Sequence, residues 1–320
     1  MPVARDVVVD AYRFFLGREP ESEDAIRINQ GASDWRQLRE AFLKSDEYQQ
    51  QVGVPNEPAS SIGRHLDVRD IQVEVDCSPE QLQAMFDRIA GNWKLFGETE
   101  PHWSVLTNPI FFKDTLPHHI DAFFAHGRSD VEQALNYLRR AGLPATDFDR
   151  VMDFGCGVGR LTVALSPYAR SIVGVDVSEG HLREATKAAE GFQIQNATFT
   201  SIASVADIDH LGNFDLVVSR LVLQHNPPPI MAAIYRKLLS SLRRGGVAVV
   251  QMPTFIAGQR FVVAEYLDGE NVQMEMNALP QNEIFKIIAD EGCRPIEVRE
   301  CTHLGVFDGL SHTFAVLRPE

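Results

Sequence analysis

Apolar positions Val7, Val8, Ala11, Phe14 and Phe15 recur at helical spacing until Gly17, which predicts a first helix ending there. Trp35, Leu38, Phe42 and Leu43 repeat the spacing in a second helix, with Ser33 placed to cap it. Ser78-Pro-Glu-Gln81 opens a third: serine at the N-cap, proline first, glutamine three positions on. Leu82, Met85, Phe86 and Ile89 share its apolar face. From residue 148 onward the pattern changes to short apolar-rich runs read as strands, of which 214–219 is the kind expected of a parallel sheet covered on both faces. Those runs are 151–154, 172–175, 196–200 with Phe199 inward, 214–219 and 247–252, followed by 296–299 and 313–317. Helical stretches at 160–168, 230–242 and 282–290 stand between them, the second ending on Arg243-Arg-Gly-Gly246, a basic last turn and a glycine stop.

Residues 53–64 hold two prolines, two glycines and two serines, the chemistry of a linker, with a short strand expected at 71–75. The expected division is a helical docking module over 1–55, a linker over 56–75, a helical lid and substrate-facing extension over 76–145, and a ligand-binding domain over 146–320. With 320 residues, 44% hydrophobic and 23% charged, the chain can bury ordinary cores. A formal net charge of −14 without a basic cluster argues against nucleic-acid phosphates as partners. Four scattered cysteines (Cys77, Cys156, Cys293, Cys301) make neither a disulfide framework nor a zinc site and fit a reducing cytoplasm. Arg5, Asp6 and Asp10 interrupt the first 20 residues, so no signal peptide is read there. No apolar run approaches the ~20 residues of a membrane span. The expectation is a cytoplasmic protein.

The candidate chemistry sits at 149–178. A strand ends on Asp153 and Phe154, and Gly155, Cys156, Gly157, Val158, Gly159 and Arg160 follow. The glycines allow a sharp turn with a ligand against the main chain, and the next helix aims its amino end at that turn. Asp176 closes the second strand 21 positions beyond Gly155, where a carboxylate can accept from both hydroxyls of a ribose. A dinucleotide fingerprint needs its third glycine at position 160, where Arg160 stands. Asp153 also suits a cationic ligand better than a pyrophosphate.

These residues resemble the first motif of class I S-adenosylmethionine-dependent methyltransferases, acid-x-Gly-x-Gly-x-Gly, with Asp176 as the ribose acid of the second. The resemblance implies an α/β, Rossmann-like seven-stranded sheet of order 3-2-1-4-5-7-6 with its last strand antiparallel. It implies S-adenosyl-L-methionine as cofactor and S-adenosyl-L-homocysteine as product. Val177, Ser201, Ile202, Ser219 and Arg220 are expected to join Asp153–Arg160 and Asp176 around the cofactor. Where the family often has an acid for the adenine, this chain has Ala203, leaving backbone near Ile202 and apolar packing. Residues 71–320 further resemble a subgroup encoded near polysaccharide and glycosyltransferase genes, through Trp93…Gly97…Pro101-His-Trp-Ser-Val-Leu106, Met276-Asn-Ala-Leu-Pro280 and Ser311-His-Thr-Phe314. Asn277 stands where that subgroup commonly has histidine. Tyr12–Pro20 with Phe42–Tyr48 resembles a helical module found beside surface-glycan enzymes, a possible protein-docking part.

Methyl transfer to a hydroxyl is in-line and is helped by a base. His225, in the turn after the fourth strand, is the candidate base. His102, Trp103 and Gln224 are the candidate acceptor contacts. The adjacent His118 and His119 diverge on a helix and are read as exposed; His303 and His312 lie near the last strand. No cluster has metal-ligand spacing, so no metal is expected. The expected reaction is O-methylation of a saccharide or glycan intermediate in polysaccharide biosynthesis. The alternatives are a natural-product or lipid-linked acceptor, and a non-catalytic cofactor-binding scaffold.

Overall fold

In the computed structural model, residues 3–16, 18–45, 47–48, 72–301 and 309–320 are described. The linker at 53–64, Gly17 and His303 lie outside them. The chain divides into a unit over residues 1–69 and a larger one over 70–320.

In the first unit, α1 (Arg5–Leu16), α2 (Glu23–Gln30) and α3 (Trp35–Leu43) bury Val8, Tyr12, Leu16, Ile26, Leu38 and Phe42. The middle helix was not expected; its signal is Ser22, whose hydroxyl accepts from Ala25 N. Asp34 rather than Ser33 caps α3, accepting from the backbone of Arg36 and Gln37.

The second unit opens with α4 (Pro79–Thr99), which carries the expected capping box of Ser78 and Gln81. α5 (Pro101–Val105) and α6 (Ile120–Arg140) follow. The sheet comprises β1 (Phe148–Phe154), β2 (Ala169–Asp176), β3 (Ala197–Ser201), β4 (Phe214–Ser219), β5 (Leu242–Ile256), β6 (Arg294–Cys301) and β7 (Gly309–Leu317). Its order is β3-β2-β1-β4-β5-β7-β6, as expected; β7 runs antiparallel to both neighbours and the other pairs are parallel. A separate two-residue parallel ladder joins Gln72–Val73 to Arg260–Phe261. The remaining helices are α7 (Arg160–Leu165), α8 (Glu179–Gly191), α9 (Pro228–Ser240), α10 (Val263–Asp268) and α11 (Gln281–Asp290).

Alternation along each strand splits the core in two. Met152, Val173, Val217 and Val250 face α4, α9 and α11 through Phe86, Met231 and Ile287. Val151, Ile172, Leu216 and Val249 face α6 and α7 through Val131, Leu135 and Leu161. Two expectations need correction. Phe199 is only half-buried, because β3 is an edge strand. Arg243-Arg-Gly-Gly246 does not terminate α9, which ends at Ser240. The run belongs to β5, where Arg243 pairs with Asp215 at 3.0 Å, and Gly245 (φ 76°) sits where the register against β4 shifts.

Candidate functional site

Beyond β1 the backbone turns through Gly155 (φ 71°), Gly157 (φ 51°) and Gly159 (φ 81°) into α7. Positive φ favours glycine here, and space excludes the alternatives. A Cβ at 155 would lie 2.3 Å from Val222 Cγ2, and one at 157 would lie 2.6 Å from Val105 Cγ2. The turn is tied to β2: Gly155 and Cys156 N–H donate to Val175 O, and Gly157 N–H donates to Asp176 Oδ2 at 2.9 Å. Ser178 N–H donates to Asp176 Oδ1, also at 2.9 Å. Each carboxylate oxygen therefore holds one backbone donor and keeps a lone pair for a ligand.

A cavity enclosing about 730 Å³ of space, part of it open to solvent, lies over this turn. Phe86, Ile89 and Trp93 of α4, with Ser104 and Val105 of α5, cover it. Phe154, Gly155, Gly157, Asp176, Val177 and Ile202 line the donor side, and Arg220, Leu221, Val222 and Asn226 the other. Glycines again permit the cover's approach: a Cβ on Gly97 of α4 would fall 2.2 Å from Ser178 Oγ and 2.9 Å from His181 N. Ser104 Oγ and His181 Nε2 meet at 2.8 Å, and burial lowers the His181 pKa.

Not every residue named from the sequence reaches the cavity. Asp153 is buried behind the turn, where its carboxylate accepts from Thr162 Oγ1 at 2.6 Å. Burial pushes its pKa up to about 6, with Thr162 opposing. It is tied to Thr162 of α7 and does not line the cavity. Arg160 is likewise buried, paired with Asp130. Cys156 and Gly159 stand behind the turn; Ser201 ends the edge strand, exposed. Ser219 lines a smaller cavity with Asp130, Arg220, Gln251 and Thr313. On the adenine side, Ile202 N–H donates to Asp176 O, while those of Ala203 and Ser204 both donate to Asp207, at 2.7 and 3.0 Å. These three N–H groups are thus engaged within the chain, and the Ile202 side chain lines the cavity.

The candidate acceptor contacts also move. His102 is buried edge-on against Phe123, and Trp103 stacks on Phe112 at 5.0 Å; their neighbours Ser104 and Val105 reach the cavity instead. Gln224 is buried in the wall, its Oε1 accepting from Gln251 Nε2 at 3.2 Å. His225 Nδ1 donates to Glu275 O at 3.0 Å, since a carbonyl can only accept, so Nε2 faces the Gln224 amide at 3.3 Å as acceptor. Burial drives its pKa to about 4. With both ring nitrogens engaged, His225 packs 5.2 Å from Trp93 and does not line the cavity. His118 is exposed and His119 half-buried, and His312 pairs with Thr254 at 2.8 Å. Among the described residues no group of His, Cys, Asp and Glu could hold a metal ion. Sequence reasoning missed the cover residues Trp93 and Ser104 and, on α8, the lining residue His181; the apolar α4 face carried the one available signal.

A seven-stranded sheet of this order, with a glycine turn after its first strand and an acid ending its second, is the class I methyltransferase fold. Residues 151–246 match the family described as methyltransferase domain. Over 116 residues the chain is 36% identical to a trans-aconitate 2-methyltransferase of Azoarcus sp. (strain BH72), covering 35% of this chain and 42% of that protein. Over 103 residues it is 32% identical to a ubiquinone biosynthesis O-methyltransferase of Psychrobacter arcticus, covering 32% and 39%. The matched segment thus spans about two fifths of these curated relatives. N-methyltransferase NodS from Bradyrhizobium japonicum, solved with S-adenosyl-L-homocysteine, superposes with TM-score 0.50 at 16% identity, over 73% of this chain and all of that one. That likeness concerns the fold.

Proposed function

We propose that the chain transfers a methyl group from S-adenosylmethionine to a small acceptor held under the α4–α5 cover. The observation that carries this reading is the cavity between the glycine turn and Asp176, whose carboxylate keeps lone pairs for a ribose. The two glycine positions fit the donor, since side chains there would collide with Val222 and Val105 and close the space. When bound, the donor supplies an electrophilic methyl on a sulfonium sulfur. Asp176 clasps the sugar, Ile202, Val177 and Phe86 pack the base, and Phe154–Gly157 line the amino-acid portion. Trp93, Arg220, Leu221 and Val222 hold the acceptor, and the cover excludes water, so positioning supplies most of the rate.

We read the acceptor as a saccharide-type intermediate. The aromatic series Trp93, Phe96, Trp103 and Phe112, with successive centroids 5.6, 6.4 and 5.0 Å apart, leads from the cavity to the surface and supports a flat-faced guest. A small organic-acid or natural-product acceptor is the second reading; the trans-aconitate and ubiquinone-pathway enzymes among its relatives favour it. Calorimetric titration with S-adenosylmethionine, S-adenosylhomocysteine and NAD tests the donor. The two sulfur compounds bind and NAD does not; the opposite preference refutes the reading. Binding with no methyl transferred to any sugar or acid of a broad panel points to a scaffold instead.

A further inference from the structure

At the wall of the cavity, α5 meets α8 through one pair of side chains. Ser104 Oγ and His181 Nε2 lie 2.8 Å apart, and both residues are buried and line the cavity. The Ser104 hydroxyl donates to Pro101 O at 3.0 Å, so its oxygen accepts from the imidazole, which carries its proton on Nε2. The other ring nitrogen agrees. Nδ1 is buried and has no hydrogen-bond partner among the described residues, which suits a bare lone pair and not an N–H. It faces α4 at Gly97, where a Cβ would fall 2.9 Å from it. Ser178 Oγ, which crowds the same point of Gly97, already accepts from the His181 backbone at 3.3 Å. A second proton can enter the ring only at Nδ1, and there the new N–H would meet the backbone of α4 with nothing to receive it.

Resting on the donor reading above, we propose that the His181–Ser104 hydrogen bond is a proton-released latch on the cover. With His181 neutral it holds α5 over the cavity; protonation at Nδ1 lets the α4–α5 cover lift and frees the nucleoside beneath. The charged groups facing His181 come from three elements. Asp176 at the end of β2 and Glu98 of α4 attract an imidazolium, while His102 of α5, whose own pKa burial lowers, repels one when charged. Glu98 is engaged with Arg183 at 2.6 Å, and Asp176 with the N–H groups of Gly157 and Ser178. Burial outweighs both attractions and lowers the His181 pKa from 6.5. The closed cover keeps the ring neutral and an open one returns it to water. Closure is therefore complete above about pH 6.5 and weakens as pH falls through the lowered value.

Two readouts on the full chain test the latch. In the first, release of S-adenosylhomocysteine is followed by stopped flow at pH 8 and pH 5. Wild type is expected to release it about three- to tenfold faster at pH 5, the size expected of one lost hydrogen bond. His181→Gln, whose amide can donate to Ser104 but does not titrate, is expected to lose that acceleration. Ser104→Ala removes the latch and is expected to release at pH 8 about as fast as wild type does at pH 5. A flat wild-type profile, or an equal acceleration in His181→Gln, overturns the proposal. Should His181→Gln fail to fold, Ser104→Ala decides: an acceleration on acidification as large as that of wild type overturns it. The second readout is hydrogen exchange in the ligand-free protein, corrected for intrinsic rates. The Ser104 and Leu106 amides, which donate to Glu100 O and His102 O, are expected to lose protection at pH 5 in wild type and to keep it in His181→Gln. Equal wild-type protection at the two pH values overturns the latch whatever binds beneath it. Protein that binds no S-adenosylhomocysteine yet shows the exchange change refutes the donor reading and supports the latch.

Discussion

Gly157→Ala sets the glycine turn against the cover. At φ 51° an alanine carries the left-handed cost of about 1–2 kcal/mol. Its Cβ also falls 2.6 Å from Val105 Cγ2, closer than carbon atoms approach, and overpacking of that kind costs about 1–3 kcal/mol. The sum is about 2–5 kcal/mol. At the ~2–4 °C per kcal/mol typical of a domain this size, the melting temperature falls by roughly 4–20 °C. The two contributions separate in a double-mutant cycle. Val105→Ala removes the colliding methyl groups, so the double variant recovers the overpacking part and keeps the dihedral part. Differential scanning calorimetry of the four proteins, with and without S-adenosylhomocysteine, reads the coupling as about 1–3 kcal/mol of rescue. Strictly additive losses would mean that Val105 does not rest on the turn, and the closed-cover geometry would be refuted.

Further outcomes follow from the same contacts. Asp176→Asn removes the charge that a ribose pairs with and is expected to weaken S-adenosylhomocysteine roughly 10- to 100-fold by calorimetry; unchanged affinity would remove Asp176 from the site. The His225 pKa, lowered to about 4 from 6.5, means that the unfolded state binds the extra proton between those values. Its contribution is complete above about pH 6.5 and lost as pH falls towards 4, so His225→Gln flattens that part of a urea-melt pH profile; an unaltered slope contradicts the burial argument. Asp153 has the opposite sign: raised from 3.8 to about 6, it favours the fold at low pH and loses that contribution as pH rises through 6. Asp153→Asn is therefore expected to raise urea-melt stability at pH 8 relative to pH 5, and a lower value at pH 8 would reverse the assignment. Gly97→Val drives side-chain atoms into Ser178 and His181 and should lift α4, seen as faster release of S-adenosylhomocysteine in stopped flow; an unchanged rate argues that α4 is no cover.

The sheet was readable because its central strands carry short apolar stretches, such as Leu216–Val218 and Val247–Val250, and the turn is written in glycines. The place of Asp176 at the end of its strand was legible from the apolar run before it and its distance from the glycines. What was hidden depends on contacts between distant segments. Phe86 and Ile89 belong to an apolar face like any other, and no spacing says that part of it roofs a cavity. Asp153 and Arg160 look like ligand contacts because they flank the turn, yet their side chains point behind it, to Thr162 and Asp130. His225 resembles a base by position; only Glu275, 50 residues on, reveals its engagement. The cap of α3 and the end of α9 were misplaced by one and two residues, since Asp34 outcompetes Ser33 and β5 claims the run from Leu242 onward.

Glu100 breaks the backbone between α4 and α5 (φ −139°, ψ 67°), and Glu98 beside it pairs with Arg183 of α8 at 2.6 Å. The roof is thus two rigid pieces joined at one residue and latched from outside by an exposed ion pair. On the proposed function, a nucleoside seated beneath them is expected to leave when that joint flexes. Oxidised E98C/R183C protein should trap its guest and let it go once reduced; equal departure rates in the two states would place the exit elsewhere.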